Sequence, residues 1–325
     1  MLPITASAQF DRECYYPCNM SAIKTLLAES IDYAGLFPPA GLDMATAVEN
    51  YARYRTEPAA WALGRFVVPV SRLREFETAA ARPCPDNPTV RPWRLALLAG
   101  ADLAGDLEMT AKFNRRHSQT GAPPVLADTI EAKASSVGGI EDIMHRVPPT
   151  LQAYVEVPID RDPRDLLAAV RRLGGRAKVR TGGVTREAFP TTSNLIRFLR
   201  GCVQADLPFK ATAGLHHPLR AEYRLTYAPD SPAGLMFGFL NLFLATAFLR
   251  AGMEEADAAR LLEEGSPEAF QIDDACITWT SHRLDLDALR DARRFGVVSF
   301  GSCSFTEPIG DLEALHLIGP GARQA

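Results

Sequence analysis

Eight short apolar runs, rich in Val, Ile, Phe and Tyr, alternate along the chain with longer amphipathic stretches. Runs of this kind are typical of buried β-strands, and the amphipathic stretches are typical of helices that cover a sheet. Repeated strand–helix units predict a parallel sheet, and eight of them predict a closed (β/α)8 TIM barrel of the α/β class. The predicted strands lie at residues 31–37, 65–70, 94–100, 129–134, 152–159, 177–182, 209–216 and 297–305.

We expect residues 1–325 to form a single barrel domain, because no stretch of the chain has the composition of a linker. A typical barrel uses ~250 residues, so the chain has a surplus. Most of it lies between the seventh and eighth predicted strands, at residues 218–296, where helices are predicted at 233–251 and 253–263. We interpret this segment as a helical insertion that either covers the barrel mouth or forms a contact in a homo-oligomer, with its apolar run in the core or at that interface.

The composition argues against two classes of partner. The formal net charge is only −4 and no dense run of Lys or Arg occurs, so nucleic-acid binding is not expected. The longest apolar stretch, residues 233–249, contains Asn241 and Thr246 and is shorter than the ~20 residues that span a bilayer, so no membrane segment is expected. The N-terminal residues lack the basic start and apolar core of a secretory signal, which favours a cytoplasmic location.

Six cysteines are scattered along the chain, and only Cys14 and Cys18 lie close together. No second Cys or His pair completes a zinc site with these two, and cytoplasmic thiols are normally reduced. We therefore predict six reduced thiols and no structural zinc.

The basic residues are divided unevenly, since the 35 comprise 30 Arg and only 5 Lys. Unlike Arg, Lys can lose its proton and act as a nucleophile. Three of the five, Lys133, Lys178 and Lys210, fall within the fourth, sixth and seventh predicted strands. Because a charged group that faces the outer helices is costly to bury, we expect these lysines to point into the barrel.

The predicted barrel mouth collects positive charge, because Arg180 shares a strand face with Lys178. Desolvation and a neighbouring cation both lower the pKa of an amine from its ordinary value of about 10.4. A neutral lysine amine attacks a carbonyl carbon to form an iminium, which is the electron sink needed to break or make the adjacent carbon–carbon bond. The pattern predicts cofactor-independent Schiff-base chemistry on a small, anionic carbonyl compound.

Short motifs occur at or beside five of the predicted strands. They are IDYAGL at 31–36, ADTIE at 127–131, KVRTG at 178–182 followed by GGVT at 182–185, KATAGL at 210–215 and FGSCS at 300–304. The chain thereby resembles, in the same order, the deoxyribose-phosphate aldolase family of class I Schiff-base aldolases, whose strands carry IDHTLL, ADEID, KTSTG with GGAT, KASGGI and FGASS. The resemblance implies an aldolase-like carbon–carbon lyase on a TIM barrel.

The resemblance also implies roles for three residues: Lys178 as the Schiff-base former, Lys210 as the group that lowers its pKa, and Glu131 as the proton shuttle. Arg180 stands where the family has a small serine, and His216 lies where the family has an Arg-containing turn that helps hold phosphate, so we expect a different substrate. The candidate substrate-binding residues are Asp32, Lys133, Glu156, Arg180, Gly182, Gly183, His216 and Ser304.

Three alternatives stay open at this point. One is a divalent-metal lyase, isomerase or hydrolase with His216, His217 and Glu131 as ligands and Glu156 and Asp128 nearby, although no HxH or HExxH spacing is present. Another is a Cys303 nucleophile, for which the sequence identifies no His or Asp partner. The last is a non-catalytic barrel that binds an anionic metabolite or a protein partner and keeps the charges of its pocket for recognition.

Overall fold

The computed structural model describes residues 20–84, 91–119 and 124–319, so the predictions for Cys14 and Cys18 lie outside the described residues. The strands are β1 (Ile31–Tyr33), β2 (Leu63–Pro69), β3 (Trp93–Leu98), β4 (Val125–Lys133), β5 (Gln152–Glu156), β6 (Arg176–Arg180), β7 (Phe209–Thr212), β8 (Ala221–Arg224), β9 (Ala233–Met236), β10 (Phe270–Ile272), β11 (Cys276–Trp279), β12 (His282–Asp285) and β13 (Val297–Ser302). The α-helices are α1 (Ala22–Leu27), α2 (Met44–Tyr54), α3 (Leu73–Ala80), α4 (Leu103–His117), α5 (Val137–Arg146), α6 (Arg164–Arg172), α7 (Thr192–Gln204), α8 (Phe239–Arg250), α9 (Glu255–Leu262), α10 (Leu286–Phe295) and α11 (Thr306–Ala314).

Eight of the strands close into a parallel barrel in the order β1, β13, β7, β6, β5, β4, β3, β2. Every predicted strand is present, with ends that differ from the prediction by a few residues, so the (β/α)8 prediction is confirmed. Because β1 pairs with β13 on one side and β2 on the other, the barrel sheet has no free edge.

Helices follow the barrel strands and form the outer layer, with α2 to α8 after β1 to β7 and α11 after β13. Several of them begin at a capping residue that the sequence supplies. The side chains of Asp43, Ser136 and Thr191 accept hydrogen bonds from backbone N–H groups in the first turns of α2, α5 and α7. The apolar faces of these helices pack on the outer side of the barrel and form the main hydrophobic core.

The segment at residues 218–296 is only partly helical, which corrects the prediction of a helical insertion. It contains α8, α9 and α10, but also the antiparallel hairpin β8–β9 and the antiparallel sheet β10–β11–β12. The helix predicted at 233–251 is split, because strand β9 occupies its first residues and α8 begins only at Phe239. A run that is apolar on every side has no periodicity to mark where a strand ends and a helix begins.

Helix α8 lies in the core, as its apolar sequence predicts, since its residues from Phe239 to Phe248 are all buried. Its Asn241 makes three hydrogen bonds: it accepts from the Arg220 N–H at 2.9 Å and donates to the carbonyls of Leu261 at 2.8 Å and Glu264 at 2.9 Å. The buried amide of Asn241 therefore has its hydrogen bonds satisfied, and it connects α8 to residues that precede and follow the helix in the chain. Among the helices of the described residues, none is both long enough and apolar enough to cross a membrane.

Candidate active site

A cavity of about 240 Å³ opens at the carboxyl ends of the barrel strands, which is where barrel enzymes carry their functional groups. Its polar side chains include Glu131, Lys178 and Lys210 from strands β4, β6 and β7. The hairpin β8–β9 and its turn also contribute to the wall, with Arg224 and Tyr227 among the lining residues. Part of the 218–296 segment thus covers the barrel mouth. This was one of the two expectations for the segment, the other being a contact in a homo-oligomer.

Six charged side chains of alternating sign touch one another in sequence and form what we call the ion-pair chain. In order of contact they are Asp32, Lys210, Glu131, Lys178, Glu156 and Lys133. The Nζ of Lys210 lies 2.5 Å from Asp32 Oδ2 and 2.6 Å from Glu131 Oε1. The chain begins at the fully buried Asp32 and ends at Lys133, whose side chain is 72% exposed.

Lys178 occupies the middle of the ion-pair chain. Its Nζ lies 2.8 Å from Glu131 Oε2 and 2.9 Å from Glu156 Oε2, and Lys133 contacts the other oxygen of Glu156 at 3.1 Å. Glu131 therefore uses one carboxylate oxygen for each of the two buried lysines. Three cations face three carboxylates, so the excess of positive charge expected from the sequence is neutralised inside the barrel.

The strand register explains why these groups meet. Lys133 is paired with Glu156 between β4 and β5, Glu156 with Lys178 between β5 and β6, and Lys178 with Lys210 between β6 and β7. Residues in register on neighbouring parallel strands project from the same face, so the four side chains stand side by side. Glu131 precedes Lys133 by two residues and shares its face, which places the carboxylate next to the two buried ammonium groups.

The charges in the ion-pair chain hold one another ionised. Burial by itself would raise the pKa of Glu131, but the positive charges of Lys178 and Lys210 outweigh it and lower that pKa to about 2. Burial would lower the pKa of Lys178, but the carboxylates of Glu131 and Glu156 outweigh it and raise the pKa. Lys210 does act to lower the pKa of Lys178, as expected, but the two carboxylates outweigh this effect, so the net shift is upward.

Asp32, one of the predicted substrate-binding residues, is not among the residues that line the cavity. It is fully buried beside Lys210 and also accepts hydrogen bonds from the Ser299 hydroxyl at 2.8 Å and the Arg65 backbone N–H at 2.8 Å. The Asp32 carboxylate thus accepts from three donors, one of which is Lys210, and it fixes the position of the Lys210 ammonium. Its role in this site is to position Lys210.

Arg180 lines the cavity beside Lys178, as the alternation of the strand predicts. Among the residues described, the side chain of Arg180 makes no hydrogen bond and no ion pair, in contrast to the three lysines of the ion-pair chain. Arg224, on the facing hairpin, donates to the Pro229 carbonyl at 3.0 Å but has no acidic partner in the described part of the chain. Two guanidinium groups at the mouth are thus available to an anion.

The two glycines after β6 differ in position. Gly183 lines the cavity, but Gly182 does not. A Cβ at Gly182 would lie 2.9 Å from the Gly214 Cα and 2.5 Å from the Phe189 ring, so this glycine is required by close packing of two loops. Ser304, another predicted binding residue, also lies outside the cavity lining, and its hydroxyl accepts a hydrogen bond from the Glu307 N–H at 3.1 Å in the first turn of α11.

A second polar group of side chains lies in the same cavity and consists of His216, Cys303, Glu307 and Tyr227, which we call the histidine cluster. His216 Nδ1 lies 3.1 Å from Glu307 Oε2, and the Tyr227 hydroxyl donates to the same oxygen at 3.1 Å. Burial would lower the pKa of His216, but Cys303 and Glu307 outweigh it and raise the pKa to about 9. The predicted binding residue His216 is therefore in the site, as an imidazolium at neutral pH.

Sequence analysis missed Glu307, Tyr227 and Arg224. Glu307 lies three residues after Ser304, in the first turn of α11. An acidic residue at this place was the one signal that could have identified it, but such a residue normally indicates only stabilisation of the helix. Tyr227 and Arg224 belong to the hairpin region, whose residues carry no recognisable motif. Their place in the cavity depends on how the hairpin folds over the barrel.

The described residues provide no set of ligands that would support the metal hypothesis. Within the described ranges, no group of three His, Cys, Asp or Glu side chains is arranged to hold a metal ion. His217 turns to Asp311 at 2.6 Å and stacks on Tyr223, whereas Glu131 is engaged by the two buried lysines. Asp128 lies outside the cavity lining and is paired with two arginines, Arg65 and Arg94.

Comparison of the chain with protein-family models gives no match, and comparison with curated proteins gives none either. The resemblance to the aldolase family therefore rests on the motifs in the sequence.

Proposed function

We propose that this protein is a Schiff-base, class I aldolase-like carbon–carbon lyase that acts on a small anionic carbonyl compound. One observation carries the proposal: Lys178 and Lys210 lie in register on neighbouring strands and share the carboxylate of Glu131 inside a cavity at the barrel mouth. Lys178 is the proposed nucleophile, because it lies nearer the solvent-exposed end of the ion-pair chain than Lys210 does and stands beside Arg180 in the cavity lining. Lys210, which is held by Asp32, positions Glu131.

The proposed reaction starts when Lys178 gives up a proton and its amine nitrogen bonds to the carbonyl carbon of the substrate. The carbonyl oxygen takes up two protons, one from the attacking nitrogen and one from a neighbouring acid, and leaves as water, so that an iminium remains. In the cleavage direction, the electrons of the adjacent carbon–carbon bond then move toward the iminium to give an enamine, while the substrate's β-hydroxyl loses its proton and the aldehyde fragment departs. Glu131 and Glu156 are the proposed proton carriers, since both touch the reacting nitrogen.

The raised pKa of Lys178 is compatible with this chemistry, because an iminium places a positive charge at the same nitrogen. The two carboxylates that stabilise the ammonium form also stabilise the iminium, and they are held in place before the reaction starts. Glu156 can take up the proton that must leave Lys178, and it lies beside Lys133 at the solvent-exposed end of the ion-pair chain. The carboxylates thus make Lys178 harder to deprotonate, but they also stabilise the iminium intermediate that forms on it.

The proposed substrate carries a negative charge. Arg180 and Arg224 are the two cavity-lining cations without an acidic partner in the described residues, and Gly183 lies beside the Arg180 guanidinium. The planar fork of an arginine binds a carboxylate or phosphate through paired hydrogen bonds. We therefore place the anionic end of the substrate at Arg180, with the carbonyl carbon toward Lys178.

The test is borohydride reduction in the presence of a panel of keto acids and sugar phosphates. A true substrate is expected to leave a stable mass increase on the peptide that contains Lys178, and Lys178→Arg is expected to abolish it, because a guanidinium stays protonated. Lys112 is a matched internal control, since its exposed amine also pairs with a glutamate, at 2.6 Å from Glu108. Labelling of Lys210 in place of Lys178 would reverse their roles, and turnover of a substrate without any labelling would refute the mechanism.

A second function, the binding of an anionic metabolite without catalysis, is favoured by the raised pKa of Lys178. An ammonium that remains paired with Glu131 and Glu156 contributes charge to recognition but no nucleophile. The same panel separates the two functions. Saturable binding by calorimetry, with neither labelling nor turnover for any bound compound, would support the binding function.

A further inference from the structure

The histidine cluster contains a thiol that the proposed lyase reaction does not use. Cys303 Sγ lies 3.9 Å from His216 Nδ1 and 4.0 Å from His216 Nε2, and it lies 3.5 Å from the Tyr227 hydroxyl. Glu307 holds the same imidazole at 3.1 Å. A thiol, a histidine within reach of it, and a carboxylate that orients the histidine are the parts of an activated cysteine nucleophile.

The position of Cys303 separates it from the other buried cysteines. It borders the cavity at the carboxyl end of β13, together with His216, Glu307 and Lys178. Cys276 is buried to nearly the same degree, with 6% exposure against 5% for Cys303, but it contacts Asp273 and, within the described part of the chain, no histidine. The two thiols therefore differ in partner and in access to the cavity but hardly in burial.

We propose that Cys303 is a nucleophilic thiol, activated by His216, that adds reversibly to the carbonyl carbon of a small anionic aldehyde bound in the cavity. The choice of an aldehyde rests on the proposed function, because cleavage of an aldol releases an aldehyde in this cavity. The activation of the thiol does not rest on it, since the cluster is independent of Lys178. The anionic group of the aldehyde is placed at Arg180 or Arg224, as for the substrate.

The proposed step balances without an oxidant or a cofactor. The thiol proton leaves to water in the cavity, because His216 is already protonated, and the sulfur electron pair forms a bond to the carbonyl carbon. The carbonyl π electrons move to the oxygen, which takes a proton from the His216 imidazolium, and water returns a proton to the imidazole. The product is a thiohemiacetal, and the reverse path releases the aldehyde. The carboxylate of Glu307 stabilises the imidazolium while it carries the proton.

The first experiment measures the alkylation rate of each cysteine by iodoacetamide with peptide mass spectrometry. We expect Cys303 to react faster than Cys276 by about tenfold or more, because it borders the cavity and lies beside His216. His216→Asn is expected to slow alkylation of Cys303 about tenfold and to leave that of Cys276 unchanged. Near-UV circular dichroism checks that the variant keeps its packing. Equal rates for the two cysteines, or an unchanged Cys303 rate in the variant, would overturn the activation.

The second experiment tests the aldehyde in the Lys178→Arg variant, where no Schiff base forms at that position. Glyoxylate is expected to slow the alkylation of Cys303 severalfold and reversibly, whereas glycolate, which has the same charge but an alcohol in place of the aldehyde, is expected to have little effect. Equal protection by both anions, or none by glyoxylate, would overturn covalent addition. Because this variant lacks the proposed iminium, failure of the lyase proposal does not change either expected result.

Discussion

Replacement of Glu131 by Gln tests whether the ion-pair chain has the charge state described here. The substitution keeps the size and shape of the side chain but removes the negative charge between Lys178 and Lys210. Both lysines keep one carboxylate partner, Glu156 and Asp32 respectively, so each ammonium loses half of its contacts. The side chains of these lysines are only 6% and 2% exposed, so water cannot replace the lost partner.

The expected cost follows from this burial. Removing one member of a buried ion pair destabilises a protein by about 3 to 5 kcal/mol, because an uncompensated charge stays behind. We expect Glu131→Gln to lower the free energy of unfolding by this amount at pH 7. The matched control is Glu108→Gln, which breaks an exposed Lys–Glu pair with Lys112 and is expected to cost about 0 to 1 kcal/mol. Urea unfolding followed by circular dichroism measures both.

The cost should also depend on pH in a direction that the pKa of Glu131 sets. The native-state pKa is lowered from 4.5 to about 2, so the carboxylate stabilises the fold fully above pH 4.5. That contribution is lost as the pH falls toward 2, because protonated Glu131 is as neutral as Gln. The difference between wild type and Glu131→Gln should therefore shrink between pH 4.5 and the lowest pH at which the wild type is folded. A variant as stable as the Glu108→Gln control, or a difference that grows in acid, would refute the charge assignment.

Three further predictions concern the anion site, the loop packing and the metal hypothesis. Arg180→Lys keeps the charge but loses the paired hydrogen bonds, so KM for the anionic substrate should rise by the equivalent of about 1.5 to 3 kcal/mol with a smaller change in kcat, and an unchanged KM would contradict the site. Gly182→Ala should destabilise the fold by about 1 to 3 kcal/mol, because the new methyl group meets Gly214 and Phe189, whereas Gly138→Ala in the open part of α5 should not, as urea unfolding would show. Activity on a substrate that labels Lys178 should survive exhaustive chelation with EDTA, and loss of activity that a divalent cation restores would favour the metal hypothesis instead.

Much of the barrel was predictable from the sequence, because strand and helix periodicity are local properties. All eight predicted strands exist, and the placement of Lys133, Lys178 and Lys210 on strands of the barrel is confirmed. The inward direction of Lys178 and Arg180 was also predictable, because a charged group that faces the outer helices is costly to bury and alternation puts both residues on one face. The mixture of strands and helices in the 218–296 segment was not predictable, because an all-apolar run gives the same signal for a strand and a helix.

The contacts that define the site were decided only by the tertiary structure. Asp32 and Lys210 are 178 positions apart, and Cys303 and His216 are 87 apart, so no local pattern relates them. Closure of the barrel and its register bring Asp32, Glu131 and Glu156 against the lysines, which turns a predicted excess of cations into paired charges and reverses the predicted shift in the pKa of Lys178. The physical reason is that a side chain's pKa and reactivity depend on burial and on the charges within a few ångströms, and long-range packing sets both.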